Sequence, residues 1–266
     1  MELYLGTGGF SNKDWLGLIY PEGTRPERFL EHYARHFNAV ELNSSFYGVP
    51  GIKAFEGMVR KSEARVRFSV KAHRSLTHER KLDPDMVARH VESVQPLRDV
   101  GMLGPFLLQF PYAFHRTPKN RLYLRDLATA FEGEAVAVEF RHASWDRDEV
   151  RAAFSAVGLA WVSVDYPPLR GLPNSGFHAS TDVAYLRLHG RNEKSWWDGK
   201  SAAERHDYRY TADELRPWVQ AIVERGDELT QVYLMMQNTT KGHAIANLRM
   251  LRELFGEAGV EADVRL

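Results

Sequence analysis

Short apolar runs that alternate with helical patterns predict an α/β fold, a TIM-type (β/α)8 barrel, for this sequence. The length supports this prediction, because such a barrel needs about 250 residues and the chain has 266. Polar residues follow most of the apolar runs directly, as expected where buried parallel strands end at a functional face. We therefore expect residues 1–266 to form one barrel domain.

Eight apolar runs predict the strands. Most of them are continuous, which is typical of parallel strands that are covered on both faces. The third run alternates apolar Val66, Phe68 and Val70 with polar residues. The predicted strands are Leu3–Gly6, Ala39–Leu42, Val66–Ala72, Pro105–Phe110, Ala135–Phe140, Leu159–Val164, Ala184–His189 and Val232–Met236.

Seven segments with helical spacing of apolar residues separate these strands. Pro26 is well placed in a first helical turn, and Asp83 before Pro84 is typical of an N-cap. Thr211 and Glu214 form a capping-box pattern. The predicted helices run from Pro26 past Phe37, over Ile52–Arg60, from Pro84 to about Arg98, over Leu122–Phe131, from Ser144 or Asp146 to Val157, and over Ala212–Val223 and Ala244–Phe255.

The helical pattern breaks after the sixth strand. Residues 166–182 contain three prolines and two glycines, Pro167, Pro168, Pro173, Gly171 and Gly176. No helical period survives this composition, since proline and glycine interrupt helices. The sequence predicts an irregular segment in place of the sixth helix.

Composition narrows the classes of function. The 35 basic residues balance the 35 acidic ones, so no global field attracts a nucleic-acid backbone. The absence of cysteine excludes disulfides and thiolate metal sites. No apolar run approaches the ~20 residues of a membrane span, and residues 1–6 lack the pattern of a signal peptide. We expect a cytoplasmic protein without a membrane partner.

Titratable residues at the predicted strand ends supply candidate catalytic groups. A barrel gathers its strand C-termini on one face, so we expect these side chains to line one pocket. Buried carboxylates suit general acid–base work, and nearby cations stabilise developing negative charge. Structural ion pairs with Lys71 and Arg141 are the alternative interpretation of Glu41 and Glu139. The candidates are Glu41, Lys71, Glu139, Arg141, Asp165 and His189.

A second group of residues is predicted to bind the substrate. Arginine suits bidentate recognition of phosphate or carboxylate. The segment after the eighth strand often binds phosphate in barrels, and an aromatic residue in a long loop suits a lid. The candidates are Arg187, Arg191, Asn43, His142, Asn238, His243 and Trp197, the last beside Trp196 in the predicted lid.

The order of these motifs along nearly the whole chain resembles the YecE-like family, the domain of unknown function 72. The resemblance implies a barrel with these residues at its mouth, without a settled activity. The family usually has Ser-Gly-Trp where this chain has Gly8-Gly9-Phe10, and two asparagines where it has Gln237-Asn238. The similar segments are Leu5–Phe10 with Asp14-Trp15, Phe37–Tyr47, Phe68–Lys71 with Thr77-His78, Leu108–Pro111, Val138–His142 with Trp145, Tyr185–Arg191, and Asn238-Thr239 with Gly242–Ala244.

The favoured function is an enzyme, a hydrolase or isomerase, that acts on a phosphorylated or otherwise anionic small molecule. Glu139 or Glu41 would be the general base, and His189 the acid. One alternative is a metal-assisted nuclease or nucleic-acid-binding protein, and another is a non-catalytic metabolite-binding or regulatory barrel. Several histidines near carboxylates leave a divalent metal open, but no signature such as H-E-x-x-H assigns metal ligands.

Overall fold

Eight parallel strands, paired in chain order, close into a barrel in the computed structural model, which describes residues 1–264. The predicted TIM-type (β/α)8 barrel is confirmed, and strand ends differ from the predicted ones by a residue or two. The strands are β1 Glu2–Thr7, β2 Ala39–Leu42, β3 Arg67–Lys71, β4 Leu103–Gln109, β5 Val136–Glu139, β6 Ala160–Asp165, β7 Val183–Leu188 and β8 Gln231–Met236.

Helices surround the barrel, and their capping explains most differences from the predicted bounds. The single helix predicted over residues 84–98 is wrong, because Pro96 starts a new first turn after Ser93. Another helix begins early, at Pro118, because the Thr117 side chain caps it. The helices are α1 Phe29–Tyr33, α2 Ile52–Ser62, α3 Arg74–Thr77, α4 Pro84–Ser93, α5 Gln95–Asp99, α6 Pro118–Ala130, α7 Asp148–Ala156, α8 Ala202–Arg205, α9 Ala212–Glu224 and α10 His243–Glu257.

The segment between β6 and β7, residues 166–182, forms no helix, as predicted. Serine hydroxyls tie it back to β6 instead. Ser180 accepts a hydrogen bond from the Trp161 amide at 2.7 Å, and Ser163 donates one to the His178 carbonyl at 2.9 Å. Without these bonds, the polar groups involved would be buried without a hydrogen-bond partner.

Side chains alternate along the strands between the barrel interior and the surrounding helices. Apolar residues such as Leu107, Val162 and Met235 form a cluster inside the barrel. A second cluster lies between the strands and the helices. At the C-terminal ends of the strands the inward positions become polar, and this change locates the site. Within residues 1–264, no helix has both the length and the apolar character needed to cross a bilayer.

Candidate functional site at the C-terminal mouth of the barrel

Arg187 of β7 lies at the centre of the barrel mouth and is 2% exposed. Its Nε and Nη2 donate to the two carboxylate oxygens of Glu41 at 2.8 and 2.7 Å. Its Nη1 donates to Glu139, and Nη2 also reaches Gln237 Oε1 at 3.0 Å. One buried guanidinium therefore pairs with two carboxylates, each fully buried at the end of its strand.

Two tyrosines complete what we call the central cluster: Glu41, Glu139, Arg187, Tyr166 and Tyr185. The Tyr185 hydroxyl donates to Glu41 at 2.9 Å, and the Tyr166 hydroxyl donates to Glu139 at 2.6 Å. Burial and the adjacent carboxylate raise the pKa of each tyrosine well above its ordinary value. Both phenols therefore remain donors, and they satisfy carboxylate lone pairs that Arg187 does not reach.

Glu139 is ionised at neutral pH. Burial opposes its charge, but the guanidiniums of Arg187 and Arg141 hold its pKa well below the usual range. His189 Nε2 lies 3.6 Å from Glu139, and within residues 1–264 its ring nitrogens have no hydrogen-bond partner. Burial keeps the pKa of His189 well below its ordinary value, so the ring is neutral.

Lys71 ends β3 beside the central cluster but is not held by its carboxylates. Its Nζ lies 4.6 Å from the centre of the Phe46 ring, and across the described range it forms no salt bridge. Burial, together with the charges of Arg187 and Arg141, lowers the pKa of Lys71 to about 7. The amine is therefore partly unprotonated at neutral pH, and Arg187, not Lys71, is the main partner of the two glutamates.

Two further guanidiniums share the mouth with Lys71. Arg141 Nε reaches Glu139 only at 3.4 Å. Arg205 lies over the Trp196 ring at 5.9 Å, and its Nε is buried with no partner among residues 1–264. Burial and the charge of Arg141 lower the pKa of Arg205. We call Lys71, Arg141 and Arg205 the cation group; their mutual repulsion would be relieved by an anion.

The structure does not bring Asp165 and Arg191 to the central cluster. Asp165 accepts two hydrogen bonds from Arg191 Nε at 3.0 and 3.2 Å. Arg191 also contacts Glu214 of α9 at 3.4 Å and lies over the Tyr210 ring. Tyr210 belongs to the apolar cluster between strands and helices. Asp165 points there because it is out of phase with the inward residues of β6.

Asn238 and His243 likewise contact the loop before α9 and not the central cluster. Asn238 donates to the Tyr208 carbonyl and to Asn247 Oδ1, at 2.8 and 2.9 Å. His243 Nε2 lies 2.9 Å from Asp207 Oδ1. Asn43, in contrast, lies at the cluster and donates to Glu41 at 3.1 Å. In this structure Asn238 and His243 anchor a loop.

The loop between β7 and α9 covers the mouth. Trp196 is 2% exposed and packs edge-on against Tyr166, with ring centroids 5.2 Å apart. Trp197 is 49% exposed and packs edge-on against Tyr112, which in turn packs edge-on against His142. The His142 ring is stacked on that of His115, with ring centroids 3.8 Å apart. The rim aromatics, as we call this group, are Tyr112, His115, His142 and Trp197.

The donors of this site do not fit a divalent metal ion. Within residues 1–264, no three histidine, aspartate or glutamate side chains converge as ligands. Arg187 already occupies both glutamates of the central cluster. No metal is therefore used in the chemistry that we assign to the site.

Comparison with known proteins assigns the chain to a protein family. The model of the DUF72 family, proteins of unknown function, matches residues 4–265. The chain belongs to the DUF72 family. A solved DUF72 structure from Thermotoga maritima MSB8 is similar, with a TM-score of 0.88 and 35% identity, and the match covers 96% of this chain and 100% of that one.

Two curated relatives of this DUF72 protein carry names without an activity. UPF0759 protein YunF of Bacillus subtilis (strain 168) is 28% identical over 268 residues, covering 95% of this chain and 94% of YunF. UPF0759 protein YecE of Escherichia coli (strain K12) is 28% identical over 143 residues, or 53% of this chain and 48% of YecE. The family resemblance predicted from the motifs is confirmed.

Several residues of the DUF72 site were missed in the sequence. Tyr185 lies two positions before Arg187 in β7. Gln237 lies two positions after Met235, which faces the barrel interior. The period of two along a strand could have identified both. Tyr166 follows β6 in the same inward phase. No sequence signal marks Arg205, because its position depends on the path of the loop that covers the mouth.

Proposed function

We propose that this DUF72 protein is an enzyme that binds a small anionic molecule at the barrel mouth and uses Lys71 for proton transfer. One observation carries the proposal. The Lys71 amine lies beside the central cluster without a carboxylate partner, whereas Arg187 occupies both Glu41 and Glu139. A buried lysine that exchanges its proton near neutral pH is a common catalytic group.

Lys71 suits proton transfer better than the neighbouring titratable groups. General acid–base catalysis works best when the pKa of the group lies near the working pH. The pKa of Lys71 is lowered to about 7, whereas those of Glu139 and His189 lie well below their ordinary values. The two glutamates, bound by Arg187, then form a buried ion-pair cluster beside which the lysine is positioned.

The cation group favours an anionic substrate. Arg141 has only a 3.4 Å contact with Glu139, and burial and the charge of Arg141 lower the pKa of Arg205. A phosphate or carboxylate between them would accept their hydrogen bonds and relieve this repulsion. Developing negative charge in a transition state would be stabilised in the same way.

A thermal-shift screen of phosphorylated metabolites and small carboxylates tests the binding step. We expect stabilisation by a subset of anions in the wild type, since a ligand of the folded state raises its stability. Arg141→Met should lose this stabilisation. Arg216→Met, which removes an arginine from an exposed salt bridge, should keep it. Equal stabilisation of both variants would contradict an anion site at Arg141.

Turnover of any stabilising anion tests the catalytic step. Lys71→Met should reduce turnover by at least about 100-fold, the range for loss of a general acid or base. Lys53→Met, a change at an exposed lysine of α2, should leave turnover unchanged. Binding without turnover throughout the screen would favour a metabolite-binding barrel over an enzyme.

The rim aromatics favour a second candidate, binding of nucleic acid. Half-exposed Trp197, which packs edge-on against Tyr112, could stack on bases. Short labelled oligonucleotides titrated across a salt series separate the two candidates. Tight binding with a steep salt dependence, weakened by Trp197→Ala, would support nucleic acid. Weak binding that Trp197→Ala does not change would support the small anion.

A further inference from the structure

Lys71 is held in place at the end of β3, beside the central cluster. The Ser45 hydroxyl oxygen lies 2.6 Å from the Lys71 carbonyl oxygen and 2.7 Å from that of Leu42, so its single proton is shared between them and links the end of β3 to β2. The Phe46 ring lies 4.6 Å from Nζ. The Lys71 residue is partly exposed, unlike the fully buried Glu41 and Glu139 beside it.

The surroundings of Nζ favour a nucleophile over a structural cation. Its charged neighbours include Arg187 and Arg141, which penalise an ammonium, and its carboxylate neighbours Glu41 and Glu139 are bound by Arg187. Lysines that are desolvated or placed beside other cations are activated for attack on carbonyl groups. The charge of Arg141 acts on this amine and also on Arg205, so the three cations are neighbours in the mouth.

We propose that Lys71 forms an imine with a substrate that carries an aldehyde or ketone next to a carboxylate or phosphate. The inference rests on the anion site of the proposed function and adds a covalent role for the same lysine. Arg141 and Arg205 would hold the anionic group of the substrate, and the carbonyl carbon would face Nζ.

The step is balanced without a further reactant. The lone pair of neutral Nζ forms the C–N bond, and the carbonyl π electrons move to oxygen. Both hydrogens of Nζ then leave with that oxygen as water, which gives a C=N bond. Nothing is oxidised or reduced. The imine, once protonated, withdraws electrons from the adjacent carbon, as in known Schiff-base enzymes.

Reductive trapping tests the imine. The full-length protein is incubated near pH 7 with glyoxylate, an anionic aldehyde, and sodium cyanoborohydride, which reduces an imine to a stable amine. Peptide mass spectrometry then compares labelling at Lys71 with that at exposed Lys53 and Lys119. We expect Lys71 to be labelled at least about ten times faster, because exposed amines are almost fully protonated near pH 7.

A parallel reaction with uncharged acetaldehyde separates the imine from the anion site. Arg141→Met and Arg205→Met, checked for native circular dichroism, should slow glyoxylate labelling of Lys71 more than acetaldehyde labelling. Fast acetaldehyde labelling with no preference for glyoxylate would keep the imine and overturn the anion site. Labelling of Lys71 no faster than Lys53 by either aldehyde would overturn the imine, and the thermal-shift screen would then judge the anion site alone.

Discussion

Arg187 illustrates how a charged side chain can be stable at the centre of a barrel. Removing its charge from water costs several kcal/mol, and only well-aligned partners compensate for that cost. Glu41 supplies a bidentate pair, and Glu139 and Gln237 accept two further hydrogen bonds from the guanidinium. The two carboxylates in turn depend on Arg187, because the tyrosines donate hydrogen bonds but carry no positive charge.

Replacement of Arg187 should therefore destabilise the fold strongly. Arg187→Met removes the main cationic partner of two buried carboxylates, so we expect a loss of about 3–5 kcal/mol in the free energy of unfolding. Urea denaturation measures it. Arg216→Met is the matched control, since its exposed salt bridge should contribute at most about 1 kcal/mol. A loss at position 187 no larger than at position 216 would refute the role given to the cluster.

Lys71 should make stability depend on pH. The pKa of Lys71 is about 7 in the folded chain and near its ordinary value of 10.5 when unfolded. Between these values the unfolded chain binds more protons, so the contribution of Lys71 becomes more favourable as pH rises. Below about pH 7, Lys71 is protonated in both states and its destabilising effect on the fold is complete. That effect is about 1.4 kcal/mol for each pKa unit by which its pKa is lowered, before solvent screening reduces it.

Comparison of Lys71→Met with the wild type measures this penalty. We expect the variant to be more stable than the wild type near pH 6, by a few kcal/mol at most. The difference should shrink as pH rises from about 7 to about 10. Lys53→Met should show no such trend. A stability difference that does not change with pH would mean that the pKa of Lys71 is not lowered in the folded state.

At the scale of elements, the connection that leaves β7 determines access to the site. Trp196 packs on Tyr166 above the central cluster, and residues 190–210 lie across the mouth. The pair between Asp165 and Arg191 anchors the first residues of this loop to β6 and α9. Entry of a substrate therefore requires part of this loop to move, and that motion is restrained at its base.

Loss of the anchor should loosen the loop more than it unfolds the barrel. Arg191→Met leaves Asp165 buried without its main partner, so we expect faster amide exchange over residues 192–205, by about ten-fold or more, which corresponds to about 1.4 kcal/mol. Hydrogen exchange detected by mass spectrometry localises the change. Arg225→Met, at an exposed pair with Glu228, is the control. Equal exchange in the two variants would contradict the anchoring role.

Elements were predictable where local composition decides them. Pro167, Pro168 and Pro173 predicted that the segment between β6 and β7 forms no helix. Thr211 with Glu214 predicted the start of α9. The path of the irregular segment was not predictable, because it depends on hydroxyls of Ser163 and Ser180 that only meet their partners in the folded chain. The division of α4 from α5 was missed although Pro96 marks it.

At the scale of the whole molecule, the closed barrel brings the backbones of β1 and β2 close together at Gly6. A Cβ atom at this position would lie 2.1 Å from the Ala39 carbonyl oxygen of β2. Backbone atoms of a central strand cannot move aside, so even a methyl group must displace β1 or β2. Glycine is the residue that permits such an approach.

Gly6→Ala should therefore be severely destabilising. We expect a loss of at least about 2–3 kcal/mol, comparable to overpacking of a core. At Gly48 a Cβ would meet nothing within 4 Å. Gly48→Ala is thus the matched control, and its unfolding free energy should stay within about 0.5 kcal/mol of the wild type. Thermal unfolding of both variants checks this, and similar midpoints would contradict a close contact at Gly6.

The site was predictable from the sequence to the extent that it follows from topology. Glu41, Lys71, Glu139 and Arg187 stand at strand ends, and barrel closure alone brings such positions together. Asp165 and Arg191 also stand there, but strand phase directs Asp165 outward. Pairing could not be read from the chain, because Arg187 finds its two carboxylates across the barrel, 146 and 48 positions away along the sequence.

The pairing of β1 has a consequence for the chain while it is being synthesised. β1 matches β2 at only two positions, but it matches β8 along its length, from Glu2 beside Gln231 to Thr7 beside Met236. Translation adds roughly 5–20 residues per second, so β8, the main partner of β1, is synthesised roughly ten to fifty seconds after β1. Throughout that interval the nascent chain presents an unpaired apolar strand edge, the kind of surface that aggregates or recruits chaperones.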